Sequence, residues 1–346
     1  MAAEEVDSGR DQFQRYVDVL APLFDPANHM RVDRLFEFVC CLIRAGGVED
    51  QGWDPIVEST ALIEDLDKLS AEPLDPEKFK HPERPRARLA LLSYCHLTEA
   101  DFFYHVLANL ARLKAGDKYN MAPFFDLRRQ RKNRTIPPAL SSKIQRVNDL
   151  AAKVSIDTKA LFEEIYYKDI RNSVFHADYT ITDTEFRMLD GLYKSSKGYL
   201  THSVTFAELD SILRRSFAFY SAVMALHRRA RHQLGGLRNK LLPYDGHYKG
   251  LLELLFEDDL LCGFRTYWPN GSNSEFTRTH AGCWGVNTTF EKDGSINFMV
   301  GLYASRPGSF SPLVEHDGVP RYTPANDRTK APYWPEDLKP YDAEYS

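Results

Sequence analysis

The sequence predicts a mainly α-helical protein with a small antiparallel β element near its carboxyl end. Apolar side chains recur at three- and four-residue spacing over most of the chain up to Gln233, which is typical of amphipathic helices. Strict alternation of apolar and polar residues occurs after Gly263 and in one short hairpin pattern at residues 179–188. Helices are therefore expected to dominate, with a hairpin inserted among them.

The amino-terminal region, residues 1–84, is predicted to consist of extra helices. Residues 10–24 and 31–44 each carry an apolar stripe at helical spacing. Asp54-Pro55 begins a third helix, because Asp caps helices and Pro fits the first helical position. Four prolines among charged residues at 71–88 then predict a linker or a wrapped loop, and the boundary of this domain is placed there.

Residues 85–243 are predicted to form a helical domain. The hairpin at residues 179–188 lies inside it, and Gly235-Gly236 ends its longest helix. One helix, capped by Ser155 or Asp157, is expected to continue directly into residues 171–176. The predicted helices cover residues 89–114, from Pro137-Pro138 to 152, from the cap at 155 or 157 through 176, and 206–233.

The last region, residues 244–346, is predicted to hold the small β element. Residues 283–290 and 296–303 alternate as strands do, and residues 292–295 provide a turn between them. Residues 306–346 are rich in Pro, Tyr and Trp, which indicates an extended tail laid over the surface.

Composition excludes several classes of protein. The acidic amino terminus and the lack of a long apolar run predict a protein without membrane contact, located in the cytoplasm. Five scattered cysteines indicate reduced thiols, and without a CxxC pair we expect no metal site. The sequence lacks GxxxxGK[ST], GxGxxG, HExxH and GxSxG, which argues against ATPases, Rossmann dehydrogenases, zincins and α/β-hydrolases. No cofactor is expected.

The strongest candidate site is the segment Asp169-Ile-Arg-Asn-Ser-Val-Phe-His176. Asn172 and His176 are four residues apart and share a helix face, and the long side chain of Arg171 reaches the same region. Arg presents a fork of donors to phosphate, and His transfers protons near neutral pH. Arg171, Asn172 and His176 are therefore predicted to act on phosphodiesters. The alternative is structural: Arg171 at a helix carboxyl end and His176 as a helix histidine.

This segment resembles the motif of the HEPN superfamily (higher eukaryote and prokaryote nucleotide-binding domains), in which Arg, often followed by a polar residue, is separated from a His by four to six residues. Arg171, Asn172 and His176 fit this pattern with four residues between Arg and His. The resemblance covers roughly residues 89–233. It implies an up-and-down helical bundle, a homodimer that pairs two motifs, and metal-independent RNA cleavage. The inserted hairpin departs from the simplest bundle.

Two basic segments are predicted to bind RNA, although net charge is −5. Clustered cations neutralise phosphates, and the affinity they provide depends on salt. A solvated loop and a solvated helix face are the alternative interpretation. The residues are Arg128, Arg129, Arg131, Lys132 and Arg134 in the first segment, and Arg214, Arg215, Arg228, Arg229 and Arg231 in the second.

Three further groups are weaker candidates. A thiol nucleophile, a metal site and a base-stacking platform are each conceivable, but packing in the core, at its edge or in a loop explains the same residues. The groups are Cys283 with His280, His96 with Glu99 and His105, and residues 119–125.

The sequence as a whole leads to one function and two alternatives. The first is a metal-independent endoribonuclease in which the ribose 2′-hydroxyl attacks the adjacent phosphate, His176 transfers a proton, Arg171 stabilises charge and Asn172 positions the others. A role in prokaryotic defence or growth arrest, with a regulatory protein partner, is an expectation from the resemblance alone. The alternatives are a catalytically inactive HEPN-like module that binds RNA, a nucleotide or a protein, and an interaction protein that docks a partner through its β element and tail.

Overall fold

A computed structural model gives the fold of this protein. It has α-helices and small antiparallel sheets, so the chain is mainly α with some β, as the sequence predicts. The residues that the structure describes are 2–29, 32–46, 61, 62, 64–66, 68, 69, 72–75, 77–132, 134–195, 198–245, 249–267, 273–279, 282–286, 288–290, 296–298, 314–316, 319–322, 339 and 340.

The chain forms two compact units, and each of them draws on three separate stretches of sequence. The domain boundaries predicted near residues 84 and 243 stay predictions. Unit 1 comprises Met1–Pro22, Pro55–Tyr104 and Leu127–Leu226, and unit 2 comprises Leu23–Asp54, His105–Asp126 and His227–Ser346.

Helices make up most of unit 1, whereas α2 and the larger part of α4 belong to unit 2. The predicted helices at 10–24, 31–44 and 206–233 are confirmed to within a few residues, apart from an earlier start of the first. The helices with defined bounds are α1 (Ala2–Phe24), α2 (Val32–Ile43), α3 (Glu83–Glu99), α4 (Asp101–Lys114), α5 (Leu140–Ala152), α6 (Thr158–Ile165), α7 (Lys168–His176) and α8 (Phe206–Gln233).

Side-chain caps fix the start of two helices. Asp157, rather than Ser155, caps α6, because its Oδ1 accepts a hydrogen bond from the Ala160 N–H at 3.0 Å. Thr205 and Glu208 cap α8 reciprocally: the Glu208 N–H donates to Thr205 Oγ1 at 3.2 Å, and the Thr205 N–H donates to Glu208 Oε2 at 3.4 Å. These bonds satisfy amide groups that have no partner within the helix.

The linker predicted at residues 71–88 is too long. Helix α3 already begins at Glu83 and includes Pro85. Proline is tolerated in the first helical turn, because an N–H at that position has no carbonyl partner within the helix. A proline-rich pattern therefore concealed the first turn of a helix.

The continuous helix predicted through residue 176 is also wrong. Helix α6 ends at Ile165, and the extended backbone of Tyr166 and Tyr167 separates it from α7. The candidate motif thus lies on a short helix of its own. Nine residues, Lys168–His176, form that helix.

The strands of unit 1 form small antiparallel sheets. The predicted hairpin is confirmed as β3 and β4, in which Ile181 pairs with Phe186, and β7 adds a third strand that the sequence did not indicate. The strands are β1 (Arg129–Arg131), β2 (Arg134–Ile136), β3 (Tyr179–Ile181), β4 (Glu185–Met188), β5 (Tyr193–Lys194), β6 (Leu200–Thr201) and β7 (Ser203–Thr205), with β1 paired to β2 and β5 paired to β6.

A hydrophobic cluster in unit 1 holds α7 in place. Ile170, from α7, is 1% exposed and packs with Leu91 and Tyr94 of α3, Phe186 of β4 and Leu209 of α8. Helix α7 contacts both α3 and β4. The inserted hairpin is therefore part of the core that positions the motif helix.

Unit 2 contains a five-stranded antiparallel sheet in the order β12-β11-β10-β9-β8, and α2 packs against it. Phe36 of α2 and Phe264 of β10 meet edge to face, with ring centroids 5.0 Å apart. The sequence predicts strands only from Gly263 onward, whereas the sheet already begins at Leu241. Its strands are β8 (Leu241–Asp245), β9 (Lys249–Glu257), β10 (Leu260–Tyr267), β11 (Asn273–Thr279) and β12 (Gly282–Val286).

The rest of the predicted β element is described in part. Residues 283–290 fall in β12 and β13 (Thr288–Phe290), and β13 pairs with β14 (Ile296–Phe298) as a hairpin. Residues 299–303 and most of the predicted tail lie outside the described residues. Within the tail, β15 (Val314–His316), β16 (Val319–Tyr322) and β17 (Lys339–Pro340) form a small antiparallel sheet.

Candidate functional site

The motif helix α7 is ended by backbone geometry. Ala177 adopts a left-handed conformation, with φ 58°. The Asp178 N–H donates to the Ser173 carbonyl at 2.9 Å, and the Ala177 N–H donates to the Val174 carbonyl at 3.2 Å. This pair of hydrogen bonds is a Schellman motif, usually made with glycine at the left-handed position. It ends the helix directly after His176.

The start of α7 depends on a tertiary contact. Tyr167, at the amino-terminal cap, supplies no side-chain cap, and its N–H donates to the Tyr94 hydroxyl at 2.8 Å. In the first turn, Asp169 accepts the Leu192 N–H at 3.0 Å through Oδ2, and its charge suits the positive end of the helix. The position of the motif is thus determined by α3 and by the loop after β4.

Arg171 is held on three sides. One guanidinium nitrogen, Nη1, donates to Asn172 Oδ1 at 2.8 Å, and Nη2 forms a close ion pair with Glu99 Oε1. The guanidinium carbon lies 4.7 Å from the centre of the Phe175 ring, which is a cation–π contact. The Arg171 side chain is 24% exposed. Its orientation is therefore fixed, and part of its surface faces solvent.

His176 is exposed at the end of the same helix. In the part of the chain that the structure describes, its imidazole forms no hydrogen bond, ion pair or ring contact. Asn172 lies one turn before it on the shared helix face. The structure thus brings Arg171 and Asn172 into contact and leaves His176 accessible beside them.

Glu99 is the site residue that the sequence did not identify. It ends α3, far from Arg171 in the chain, and the sequence grouped it with His96 and His105 instead. His105 belongs to unit 2, where its imidazole bonds to the Met121 carbonyl at 2.8 Å and burial lowers its pKa to about 3. No local pattern could have paired Glu99 with Arg171, because the pair depends on packing of α3 against α7.

The groups around the Arg171–Glu99 pair are partly dehydrated. Burial raises the pKa of Tyr166, the charge of Arg171 opposes that rise, and the charge of Glu99 adds to it. Burial likewise raises the pKa of Cys95 to about 12, and Cys95 Sγ lies 4.0 Å from the Arg171 carbonyl oxygen. An environment with little water strengthens the charge–charge interactions within it.

The first basic segment forms an exposed hairpin. Strands β1 and β2 carry Arg129, Arg131 and Arg134, and every residue of both strands is exposed. Lys132 in the turn is exposed as well, with φ 52°, and Arg128 precedes β1. Four of the five predicted residues thus project from one ribbon.

The second basic segment is not a uniform surface. Arg214 pairs with Asp210 at 2.8 Å, and Arg215 donates to the Tyr167 hydroxyl at 3.3 Å. Arg231 lies in unit 2, where its Nε donates to the Leu261 carbonyl at 2.6 Å and burial lowers its pKa. The remaining two, Arg228 and Arg229, are exposed on the unit 2 part of α8.

Three groups with metal-binding chemistry lie close together elsewhere in unit 1. Among the described residues, His81, Glu83 and Asp183 bring one ligand atom each within 4.8 Å of one another. Arg84 forms a close ion pair with the same Asp183 oxygen that faces His81. The guanidinium already supplies the positive charge that a cation would bring, so this cluster is explained by ion pairing.

The other weak candidates lie in packed positions. Cys283 is buried in β12, as are the other four cysteines in their elements, and none forms a disulfide. In residues 119–125, Tyr119 is buried and donates to the Ala45 carbonyl at 2.6 Å, while Phe125 is 58% exposed. His280 lies outside the described residues.

No described helix is both long enough and apolar enough to cross a membrane. Models of known protein families, curated proteins and solved structures contain no match to this chain. Functional assignment therefore depends on the chemistry of the site alone.

Proposed function

We propose that this protein is a metal-independent endoribonuclease of the HEPN type, with Arg171, Asn172 and His176 as its catalytic residues. The observation that carries the proposal is the arrangement on α7: a guanidinium oriented by Asn172 and Glu99, and an exposed imidazole at the end of the same helix. An oriented donor and an accessible proton carrier are the two groups that RNA cleavage without a metal requires.

The reaction is an internal transesterification. The ribose 2′-oxygen attacks the adjacent phosphorus as it loses its proton, and the bond from phosphorus to the 5′-oxygen breaks as that oxygen gains a proton. His176 transfers one of these protons, and Arg171 stabilises the charge on the non-bridging oxygens. Asn172 holds the guanidinium in place. The products carry a 2′,3′-cyclic phosphate and a 5′-hydroxyl.

The HEPN resemblance also suggests a homodimer in which two copies of the motif act on one RNA. A protomer carries a single Arg171/His176 set, so a second set would supply the other proton transfer. Cleavage that rises more steeply than linearly with protein concentration, below the dimer dissociation constant, tests this part of the proposal. A role in growth arrest or defence predicts that expression slows bacterial growth and that the His176→Ala variant does not.

The catalytic test compares His176→Ala and Arg171→Ala with the parent on single-stranded RNA in EDTA. We expect cleavage to fall by at least about 100-fold in each variant, which is the usual contribution of a proton-transferring group and of a donor that stabilises charge in the transition state. His232→Ala is the matched control, because His232 is also exposed in the last turn of a helix. Circular dichroism checks that the variants fold. Equal cleavage by the parent and both motif variants would disprove the assignment.

A second function, RNA or nucleotide binding without cleavage, is favoured by the Arg171–Glu99 ion pair. Glu99 neutralises the guanidinium that would otherwise meet phosphate, and Phe175 covers one of its faces. Protein that binds RNA but leaves it intact under all conditions would favour this function.

Glu99→Gln measures how far the ion pair restrains Arg171. Gln keeps the size of the side chain and removes its charge, so RNA affinity should rise by about fivefold, equivalent to about 1 kcal/mol. Glu163→Gln is the control, because Glu163 pairs with Lys159 on α6 and that lysine lies outside both basic segments. Unchanged affinity in Glu99→Gln would mean that Arg171 does not contact RNA.

A further inference from the structure

The hairpin of β1 and β2 has two chemically different faces. Arg129 pairs with Ile136, Gln130 with Thr135, and Arg131 with Arg134. Side chains of paired residues lie on the same face of an antiparallel pair, and alternate residues along a strand share a face. The three arginines and Ile136 therefore lie on one face. Gln130 and Thr135 lie on the other, where Gln130 Nε2 donates to Thr135 Oγ1 at 2.9 Å.

The three arginines on this face lie close together, and no described carboxylate neutralises their charge. The Cα atoms of residues two apart on a strand are separated by about 7 Å, and those of paired residues by about 5 Å. The three arginine side chains therefore start from neighbouring positions. None of Arg129, Arg131 and Arg134 forms an ion pair with a carboxylate that the structure describes. Like charges at this spacing repel one another, and a bound polyanion would relieve the repulsion.

Packing does not account for the hairpin. All six strand residues are exposed, and a two-stranded hairpin without a buried apolar face is marginally stable on its own. Lys132, which follows the Arg131–Arg134 pair that closes the hairpin, has φ 52°, a positive value of the kind that tight hairpin turns require. The exposed strands are therefore available for contact with another molecule.

We propose that the face formed by Arg129, Arg131 and Arg134 binds the phosphate backbone of an RNA strand, as a docking site separate from the Arg171/His176 motif. The proposal rests on the proposed function, which makes RNA the substrate. Guanidinium groups bind phosphate through two parallel hydrogen bonds. The ribbon has no aromatic residue to stack on bases, so it recognises the backbone without regard to base sequence.

The test measures binding of the full chain to fluorescent single-stranded 2′-O-methyl RNA at several salt concentrations. This RNA lacks the attacking 2′-hydroxyl, so binding is measured without cleavage. In Arg129→Ala/Arg131→Ala/Arg134→Ala, the slope of log affinity against log salt should fall by about 2, or about 0.7 per lost phosphate contact. Between about 50 and about 200 mM salt, the parent should then lose about 20-fold more affinity than the variant. An unchanged slope would overturn the proposal.

A variant with the same net charge distinguishes the effect of arginine position on the hairpin from the effect of total charge. Arg129→Gln/Arg131→Gln/Gln130→Arg/Thr135→Arg keeps the net charge and moves two arginines to the opposite face. We expect its affinity to stay low, near that of the triple variant. Affinity equal to that of the parent would show that charge alone matters and would refute a site on one face. Parent protein that binds no RNA would refute it as well.

The binding test of the ribbon and the cleavage test of the motif distinguish failure of the docking site from failure of the catalytic assignment. If the salt slope depends on the ribbon while His176→Ala still cleaves RNA, the catalytic assignment fails and the docking site stands. If His176→Ala abolishes cleavage while the ribbon variants bind like the parent, the docking site fails and the catalytic assignment stands.

Discussion

Removal of one buried hydroxyl should loosen the motif helix. The Tyr94 hydroxyl donates to the Ile165 carbonyl at 3.1 Å and accepts the Tyr167 N–H at 2.8 Å. It therefore joins the end of α6 to the start of α7. Tyr94→Phe keeps the ring, which is fully buried, and deletes both hydrogen bonds.

The two lost bonds differ in cost. The Ile165 carbonyl still lies 3.2 Å from the Ser216 hydroxyl, which it shares with the Ile212 carbonyl at 2.8 Å. Loss of the hydrogen bond from Tyr94 to the Ile165 carbonyl therefore costs about 1 kcal/mol. The Tyr167 N–H is left without that acceptor, which costs about 1–2 kcal/mol more for a partly buried donor. We expect the free energy of unfolding to fall by about 2–3 kcal/mol.

Urea denaturation measures this loss, and amide exchange at Tyr167 locates it. Tyr199→Phe is the matched control, because it makes the same chemical change on a side chain of a residue that is 58% exposed. The control should remain within about 0.5 kcal/mol of the parent. A loss below about 0.5 kcal/mol in Tyr94→Phe, or unchanged exchange at Tyr167, would refute the role given to this hydroxyl.

Three further substitutions test the backbone and the core. Gly263→Ala should lower the free energy of unfolding, measured by urea denaturation, by about 3 kcal/mol, because the added Cβ would collide with the backbone of β11. Gly236→Ala is the control and should leave this free energy nearly unchanged, because its added Cβ meets no atom within 4 Å. Ala177→Gly should raise the free energy of unfolding by about 0.5–1 kcal/mol, because glycine adopts the left-handed conformation without strain; a loss of stability would contradict this. Burial lowers the pKa of His227 from 6.5 to about 3, so its stabilising effect is complete above about pH 6.5 and is lost as pH falls, by about 1.4 kcal/mol per pH unit. Urea denaturation at pH 6 and pH 4 gives the change in the free energy of unfolding per pH unit, and this change should be smaller by that amount in His227→Gln than in the parent. An equal change in the two proteins would exclude His227 as a source of acid sensitivity.

Local patterns sufficed to predict several elements. The apolar spacing of residues 206–233 with Gly235-Gly236 after it marked α8, and alternation around residues 182–184 marked the β3–β4 hairpin. Asp157 was identified as one of two caps for α6. Each of these signals depends on residues that are close together in the sequence. The sequence alone therefore contains the information needed to predict these elements.

Elements that depend on distant partners were missed. The break at Tyr166 and Tyr167 contains no glycine or proline, and it depends on the Tyr94 hydroxyl from α3. Strand β9, Lys249–Glu257, is rich in leucine and lacks strict alternation, so only its pairing with β8 and β10 distinguishes it from a helix. At the candidate site, the spacing of Arg171, Asn172 and His176 is enough to propose them, whereas no spacing in the sequence indicates Glu99.

The thiol of Cys95 makes the motif helix observable. Its sulfur lies 4.0 Å from the Arg171 carbonyl oxygen, and the residue is 1% exposed, so a labelling reagent reaches the thiol when α7 separates from α3. The other four thiols belong to unit 2. In the native protein, the rate at which Cys95 reacts therefore reports the opening of the motif helix, and the rates of the other four report events in the other unit. Bound RNA that contacts Arg171 would slow the first rate and provide a signal for site occupancy that does not depend on cleavage.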